Sequence, residues 1–278
     1  MRDAVVTSCS AAGWRQYGLR FVSTFCEYWP CGLPLTVVSE DELDGMAWHD
    51  SAAARRERHF IHLLDADPQA RAFFERHANN PRAHGKVRES GQTWTGKALA
   101  SGYNWRYDAF RFANKVFAIR AAARTTSHEP RATRLFWLDA DVVTFEPVPL
   151  TLLDEVLPPD VALSCLDRGP YPSECGFVGY NLAHPATLPF IEALASLYAS
   201  DEVFKLQEWH DSYVFDWLRR KGNVPAHCIP YAAGQKRHPF VNSALGRYMD
   251  HLKGPRKHLG KTPCGEVVTH RDVGYWRT

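Results

Sequence analysis

The sequence predicts an α/β domain: a mixed, mainly parallel twisted sheet flanked by helices, with a helical insertion and a C-terminal tail that wraps back. Three observations predict it. The chain opens strand, helix, strand, which calls for parallel pairing through a crossover. Short apolar runs then recur at 134–138, 161–166 and 175–181 beside helix-patterned stretches. The 278 residues are 45% apolar and 13% aromatic, enough for one large core, so residues 1–278 are read as a single domain.

Taken in order, Ala4 to Ser8 is a β-branched strand, and Ser10-Ala11-Ala12-Gly13 reads as a turn. Leu19 to Trp29 has apolar residues at helical spacing, and Leu35 to Ser39 is a second strand. Ligands of such sheets lie at the carboxyl ends of the strands, so Thr7 to Tyr17 is a candidate binding loop. Residues 40–104 break the rhythm and are read as a surface insertion, with an Arg-rich helix over Ser51 to Leu64 and another after Pro68. Trp105 to Arg124 is a long helix with Phe110, Ala113, Phe117 and Ala121 on one face and Arg111 and Lys115 one i,i+4 step apart. Arg134 to Leu138, Val161 to Leu166 and Cys175 to Asn181 are strands, the last with glycines where something approaches closely. Pro185 to Ser200 and Asp211 to Lys221 are helices, the second stopped at Gly222. Beyond Tyr231 the chain is Gly-, Pro- and basic-rich, and 232–278 is expected to close over the site.

Charge and cysteine usage exclude several classes. Thirty-three Lys plus Arg against 31 Asp plus Glu do not mark a nucleic-acid binder as a whole. The balance is uneven, however: residues 235–278 hold nine basic residues against three acidic ones, leaving 24 against 28 before them. Seven Cys without a CxxC pair suggest neither a disulfide framework nor a zinc cage, and reduced thiols fit best. No apolar run reaches the roughly 18 residues that span a bilayer, so no membrane span and a cytoplasmic location are expected.

The chemistry concentrates in two motifs. Asp139-Ala140-Asp141 directly follows the strand Leu135-Phe136-Trp137-Leu138, and carboxylates at i and i+2 past a strand end can share a hard divalent cation, Mg²⁺ or Mn²⁺. A solvated acidic turn is the plain competing reading. The apolar runs on both sides weigh against it, because carboxylates among buried residues need a charge partner. The second motif is His251-Leu252-Lys253-Gly254-Pro255-Arg256-Lys257. Its imidazole can be a third metal ligand, Gly254 lets backbone N–H groups approach a phosphate, and Lys257 brings a point charge. A basic surface tail is the alternative.

A strand ending in DxD, with HxxGxxK near the C-terminus, resembles the GT-A-fold glycosyltransferases, particularly the glycogenin and lipopolysaccharide-galactosyltransferase type. The resemblance implies that Asp139, Asp141 and His251 hold Mn²⁺ or Mg²⁺, and that Asp139, Gly254 and Lys257 belong to the site of a nucleotide-sugar donor, most simply a UDP-sugar. It also implies that Thr7 and Ser8 hold the nucleobase and ribose, although the acidic and aromatic pattern of the glycogenin type's first loop is absent here. Glu174, in Pro172 to Asn181, lies where the family has its Asn-Ser-Gly strand, and is a candidate sugar or acceptor contact. Asp211, in Glu208-Trp209-His210-Asp211-Ser212, is either a helix cap or the acid that holds sugar hydroxyls or removes the acceptor proton. Trp209 could stack on a sugar or pack in the core. Arg111 and Lys115 are placed to reach the donor, or to form an exposed salt-bridged face. His238 and Asn242 precede His251 closely enough to enter the same cleft.

The implied activity is metal-dependent transfer of a sugar to an acceptor hydroxyl. The acceptor stays open among glycans, lipid-linked sugars, proteins, small molecules and, as in some bacteriophage enzymes, hydroxymethylated bases in DNA. A sugar nucleotidyltransferase and a non-catalytic nucleotide-sugar-binding protein of the same fold are the alternatives.

Overall fold

The computed structural model describes residues 2–41, 58–86, 102–125, 132–232 and 238–277. Its strands are β1 (Asp3–Cys9), β2 (Leu35–Ser39), β3 (Arg58–His62), β4 (Arg134–Leu138), β5 (Val142–Thr144), β6 (Leu163–Arg168), β7 (Tyr171–Asn181), β8 (Ala226–Cys228) and β9 (Met249–His251). Seven form one sheet in the order β3-β2-β1-β4-β7-β6-β8. β3, β2, β1 and β4 run parallel, β7 is antiparallel to both β4 and β6, and β8 is parallel to β6. The sheet is therefore mixed and mainly parallel, as the sequence predicts. β5 and β9 pair separately as a two-stranded antiparallel ribbon.

Six helices matter here: α1 (Leu19–Tyr28), α2 (Pro68–His77), α3 (Ala109–Thr125), α4 (Leu150–Val156), α5 (Thr187–Ala199) and α6 (Asp211–Lys221). The period-2 alternation of the strands divides them between two layers. Val5, Leu35, Val37, Phe136 and Leu138 face a core made with α1, α4 and the C-terminal residues Phe240, Met249 and Trp276. Ala4, Val6, Val38, Leu135 and Trp137 face the other core, made with α2, α3, α5 and α6. Both sides of the central strands are buried, which is why these strands read as continuous apolar runs.

Two expectations change. The Arg-rich helix expected over Ser51 to Leu64 lies partly outside the described residues, and within them Arg58–His62 is the edge strand β3, in register with β2 from Leu35↔Arg58 to Ser39↔His62. An edge strand is bonded on one side only, so it tolerates the polar run Arg-His-Phe-Ile-His that helical patterning seemed to claim. The loop expected over Thr7 to Tyr17 is largely helical. β1 extends to Cys9, and Ser10 then caps a turn at Ala11–Gly13 by accepting from the Gly13 N–H at 3.1 Å. A π-helical turn, Trp14–Gly18, leads straight into α1. Gly18 permits this packing, since a Cβ there would lie 2.9 Å from the Trp14 ring.

Among the described residues no helix is long and apolar enough to cross a membrane.

Candidate metal and donor site

β4 delivers Asp139 to the carboxyl edge of the parallel strands. The chain turns there, with the Val142 N–H donating to the Asp139 carbonyl at 2.9 Å, and enters β5. β5 pairs with β9 in a register that sets Val142 opposite His251. Residues distant in sequence are thus fixed side by side, and the imidazole falls beside the second carboxylate.

His251 is fully buried and Asp141 nearly so. The His251 Nε2 lies 3.1 Å from Asp141 Oδ1 and 3.4 Å from Asp139 Oδ2, and one ligand atom from each of the three residues fits within 4.8 Å of the others. On the opposite side of the ring, Nδ1 lies 3.4 Å from Glu174 Oε1. Both ring nitrogens are therefore buried in ion-pair contact with carboxylates, and among the described residues neither makes a well-formed hydrogen bond. Gly176 makes the arrangement possible: a Cβ at this position would meet the imidazole at 2.4 Å.

Three lysines surround the group. Lys115 of α3 reaches Asp139 and Asp211, each at 2.9 Å, as well as the Cys175 carbonyl at 2.5 Å. Its ammonium also lies 5.0 Å from the centre of the Trp137 ring, whose indole N–H donates to Asp139 at 2.6 Å. Lys257 pairs with Asp141 at 3.0 Å and lies 4.2 Å from the Tyr17 ring centre. Lys253 pairs with Glu174 at 3.3 Å. Burial alone would raise the pKa of Asp139, but Lys115 and His251 beside it hold it below the ordinary carboxylate range. Burial likewise opposes charge on His251 and Lys115, and the surrounding carboxylates outweigh it, raising both.

Other predicted residues fall into distinct places. The Ser8 hydroxyl donates to Glu40 at 2.8 Å, while the Thr7 hydroxyl is buried without a hydrogen-bond partner. Gly254 adopts φ +63° with open space where a Cβ would be. Arg111 has its backbone N–H capped by Asp108 and interacts electrostatically with Tyr103 and Tyr17. Arg111 is exposed, with no ion pair among the described residues, whereas the Lys115 side chain is turned inward and is not part of an exposed salt-bridged face.

Asp211 begins α6 without capping it. His210 is the cap, through Nδ1 and the Tyr213 N–H at 3.4 Å, and Glu208 fixes the His210 ring through Nε2 at 2.9 Å. This leaves the Asp211 carboxylate to pair with Lys115. Trp209 is a core residue at 2% exposure, packed edge-on against Phe204 and Tyr107. His238 and Asn242 do not join the Asp139–Asp141–His251 cluster: His238 Nε2 bonds the backbone carbonyl of His251 at 2.9 Å, and Asn242 donates to the His238 and Glu266 carbonyls. His238 thus holds the His251 backbone, and Asn242 holds that of His238.

The glycines of Cys175 to Asn181 were read as points of close approach, and Gly176 is one, beneath the His251 ring. Tyr17 ends the Thr7 to Tyr17 segment read as a binding loop. Glu40, Lys253 and Trp137 were given no role from the sequence; Trp137 had a legible signal at i−2 from Asp139, whereas only the fold brings Glu40 to the ends of the strands.

No protein-family profile matches the chain, and no curated protein matches it in sequence. Among solved structures it is similar to mouse xyloside xylosyltransferase 1 in its apo form, at 14% identity and a TM-score of 0.48, with 81% of this chain and 84% of that one covered. The functional reading therefore rests on the residues themselves.

Proposed function

We propose that the chain is a metal-dependent glycosyltransferase that moves a sugar from a nucleotide-diphosphate sugar, a UDP-sugar in the first instance, to an acceptor hydroxyl. The observation that carries this reading is the β5·β9 register, which sets the buried imidazole of His251 against Asp139 and Asp141 with neither ring nitrogen hydrogen-bonded. Two carboxylates and one imidazole suit Mn²⁺ or Mg²⁺, and a cation between them would coordinate an Nε2 that makes no hydrogen bond among the described residues. When bound, such a cation supplies charge neutralisation for a departing diphosphate.

The chain's own groups would do the rest. Lys257 and the open backbone at Gly254 would hold the phosphates, with Arg111 nearby, and Thr7 and Ser8 would meet the nucleoside. Lys115 ties Asp139 to Asp211, so the Asp211 carboxylate would accept hydrogen bonds from sugar hydroxyls at a fixed distance from the phosphates. Charges already in place when the leaving group departs lower the barrier without reorganisation. Four cations of the C-terminal segment are engaged within the protein: Lys253 with Glu174, Lys257 with Asp141, Arg256 with Glu266 and Lys261 with the Tyr275 carbonyl. They favour a donor site over a basic platform for duplex DNA, so salt-sensitive duplex binding is not expected.

The test is incubation with Mn²⁺ and a panel of nucleotide sugars, with and without simple glycan acceptors. Release of a nucleoside diphosphate that stops on chelation supports the proposal. Pyrophosphate instead would make the protein a nucleotidyltransferase, and release of neither product would leave a binding protein.

A further inference from the structure

We infer that Glu174 is the positioning residue for His251: its carboxylate stands beside Nδ1 to accept a hydrogen bond from Nδ1–H, which leaves Nε2 for the cation. The inference rests on the metal reading above and concerns this chain's own donors.

A neutral imidazole carries one ring proton, and the position of that proton decides which nitrogen can bind a cation. In His251 the two nitrogens face different surroundings. Nε2 is turned to Asp139 and Asp141, whereas Nδ1 is turned to Glu174 at 3.4 Å. A metal-bound histidine generally donates its other N–H to a carboxylate or carbonyl, and that partner fixes both tautomer and ring orientation.

Glu174 is built for this role rather than for contact with substrate. It is 4% exposed. Its Oε1 accepts from the Gly176 N–H at 3.1 Å, and Lys253 approaches the carboxylate at 3.3 and 3.5 Å, so its position is set by backbone and by cation. Glu174 and Gly176 are two residues apart on β7 and face the same side of the sheet. The glycine gives the ring room and the glutamate gives it an acceptor. His238 meanwhile holds the His251 backbone through its carbonyl. A contact with sugar or acceptor, as sequence position suggests for Glu174, would need a carboxylate open to the cleft.

The experiment measures Mn²⁺ affinity from the electron paramagnetic resonance signal of free Mn²⁺, with and without uridine diphosphate, for the wild type, Glu174→Gln and Glu174→Ala. The alanine variant should bind about 10–100-fold more weakly. The glutamine variant should fall between, since its amide carbonyl still accepts from Nδ1–H. Saturating Mn²⁺ should restore most turnover in Glu174→Gln with the KM for nucleotide sugar unchanged. Wild-type Mn²⁺ affinity in both variants, with an altered KM, overturns the inference and makes Glu174 a substrate contact, with the metal reading untouched. A wild-type protein that binds no Mn²⁺ in either condition overturns the metal reading and this inference together. If Glu174→Ala does not fold, Glu174→Gln decides alone, and wild-type affinity there overturns the inference.

Discussion

Two buried clusters of charge differ in how completely they are satisfied. In the first, Asp67 and Arg120 are each 1% exposed and meet through two bonds of 2.7 Å. The remaining guanidinium nitrogen donates to Gln69 at 2.6 Å, and Asp67 also caps α2 by accepting from the Gln69 and Ala70 N–H groups. In the second, Asp139, Asp141 and Glu174 surround His251, which has no hydrogen bond to either nitrogen. Folding alone completes the first cluster. The second is held by ion pairs with Lys115, Lys257 and Lys253, yet among the described residues neither nitrogen of its imidazole makes a hydrogen bond, which is where the proposed cation would enter.

The difference can be broken from either side. Arg120→Ala leaves a buried, unpaired carboxylate and should lower unfolding free energy by about 3–5 kcal/mol in urea titrations, while the protein that remains folded keeps its Mn²⁺ affinity. Asp141→Ala should do the reverse, reducing metal-dependent release of nucleoside diphosphate by about 10²–10³-fold with an unchanged urea midpoint. A loss of stability comparable to that of Arg120→Ala would mean that the acidic group is structural. Gly176→Ala tests the join between fold and site: a Cβ 2.4 Å from the imidazole must displace His251, at about 1–3 kcal/mol of stability, and should weaken Mn²⁺ binding in the same variant. Unchanged binding there would show that the ring has another position from which it serves equally well.

The same contrast explains what the sequence could and could not tell. The carboxylates were legible because β4 ends in an apolar run followed at once by acid, and the imidazole because it stands at motif spacing from Gly254 and Lys257. The ribbon that joins them was not. β5 and β9 are three residues each, too short to show alternation, and their pairing is a long-range fact. β3 was hidden because an edge strand need not be apolar. Asp211 could be read as a cap or as a functional acid; His210 caps α6 here, and the Asp211 carboxylate pairs with Lys115 instead. Trp209, beside it in sequence, belongs to the core.

Glu40 stands between the two clusters in character and supplies the smallest effect. It is held by the Ser8 hydroxyl rather than by an ion pair, and burial, with Asp41 and Asp139 nearby, raises its pKa from 4.5 to about 7, against the opposing pull of Ser8 and Arg111. A carboxyl with a folded-state pKa above its unfolded value binds its proton more tightly in the native state. Its contribution to stability is therefore fully present below about pH 4.5 and is lost as pH rises through about 7. Unfolding free energies measured from pH 4.5 to 8 should fall more steeply for the wild type than for Glu40→Gln, which has no proton to lose. Parallel profiles would show that Glu40 titrates normally, and that this end of the strands is as well satisfied as the Asp67–Arg120 pair.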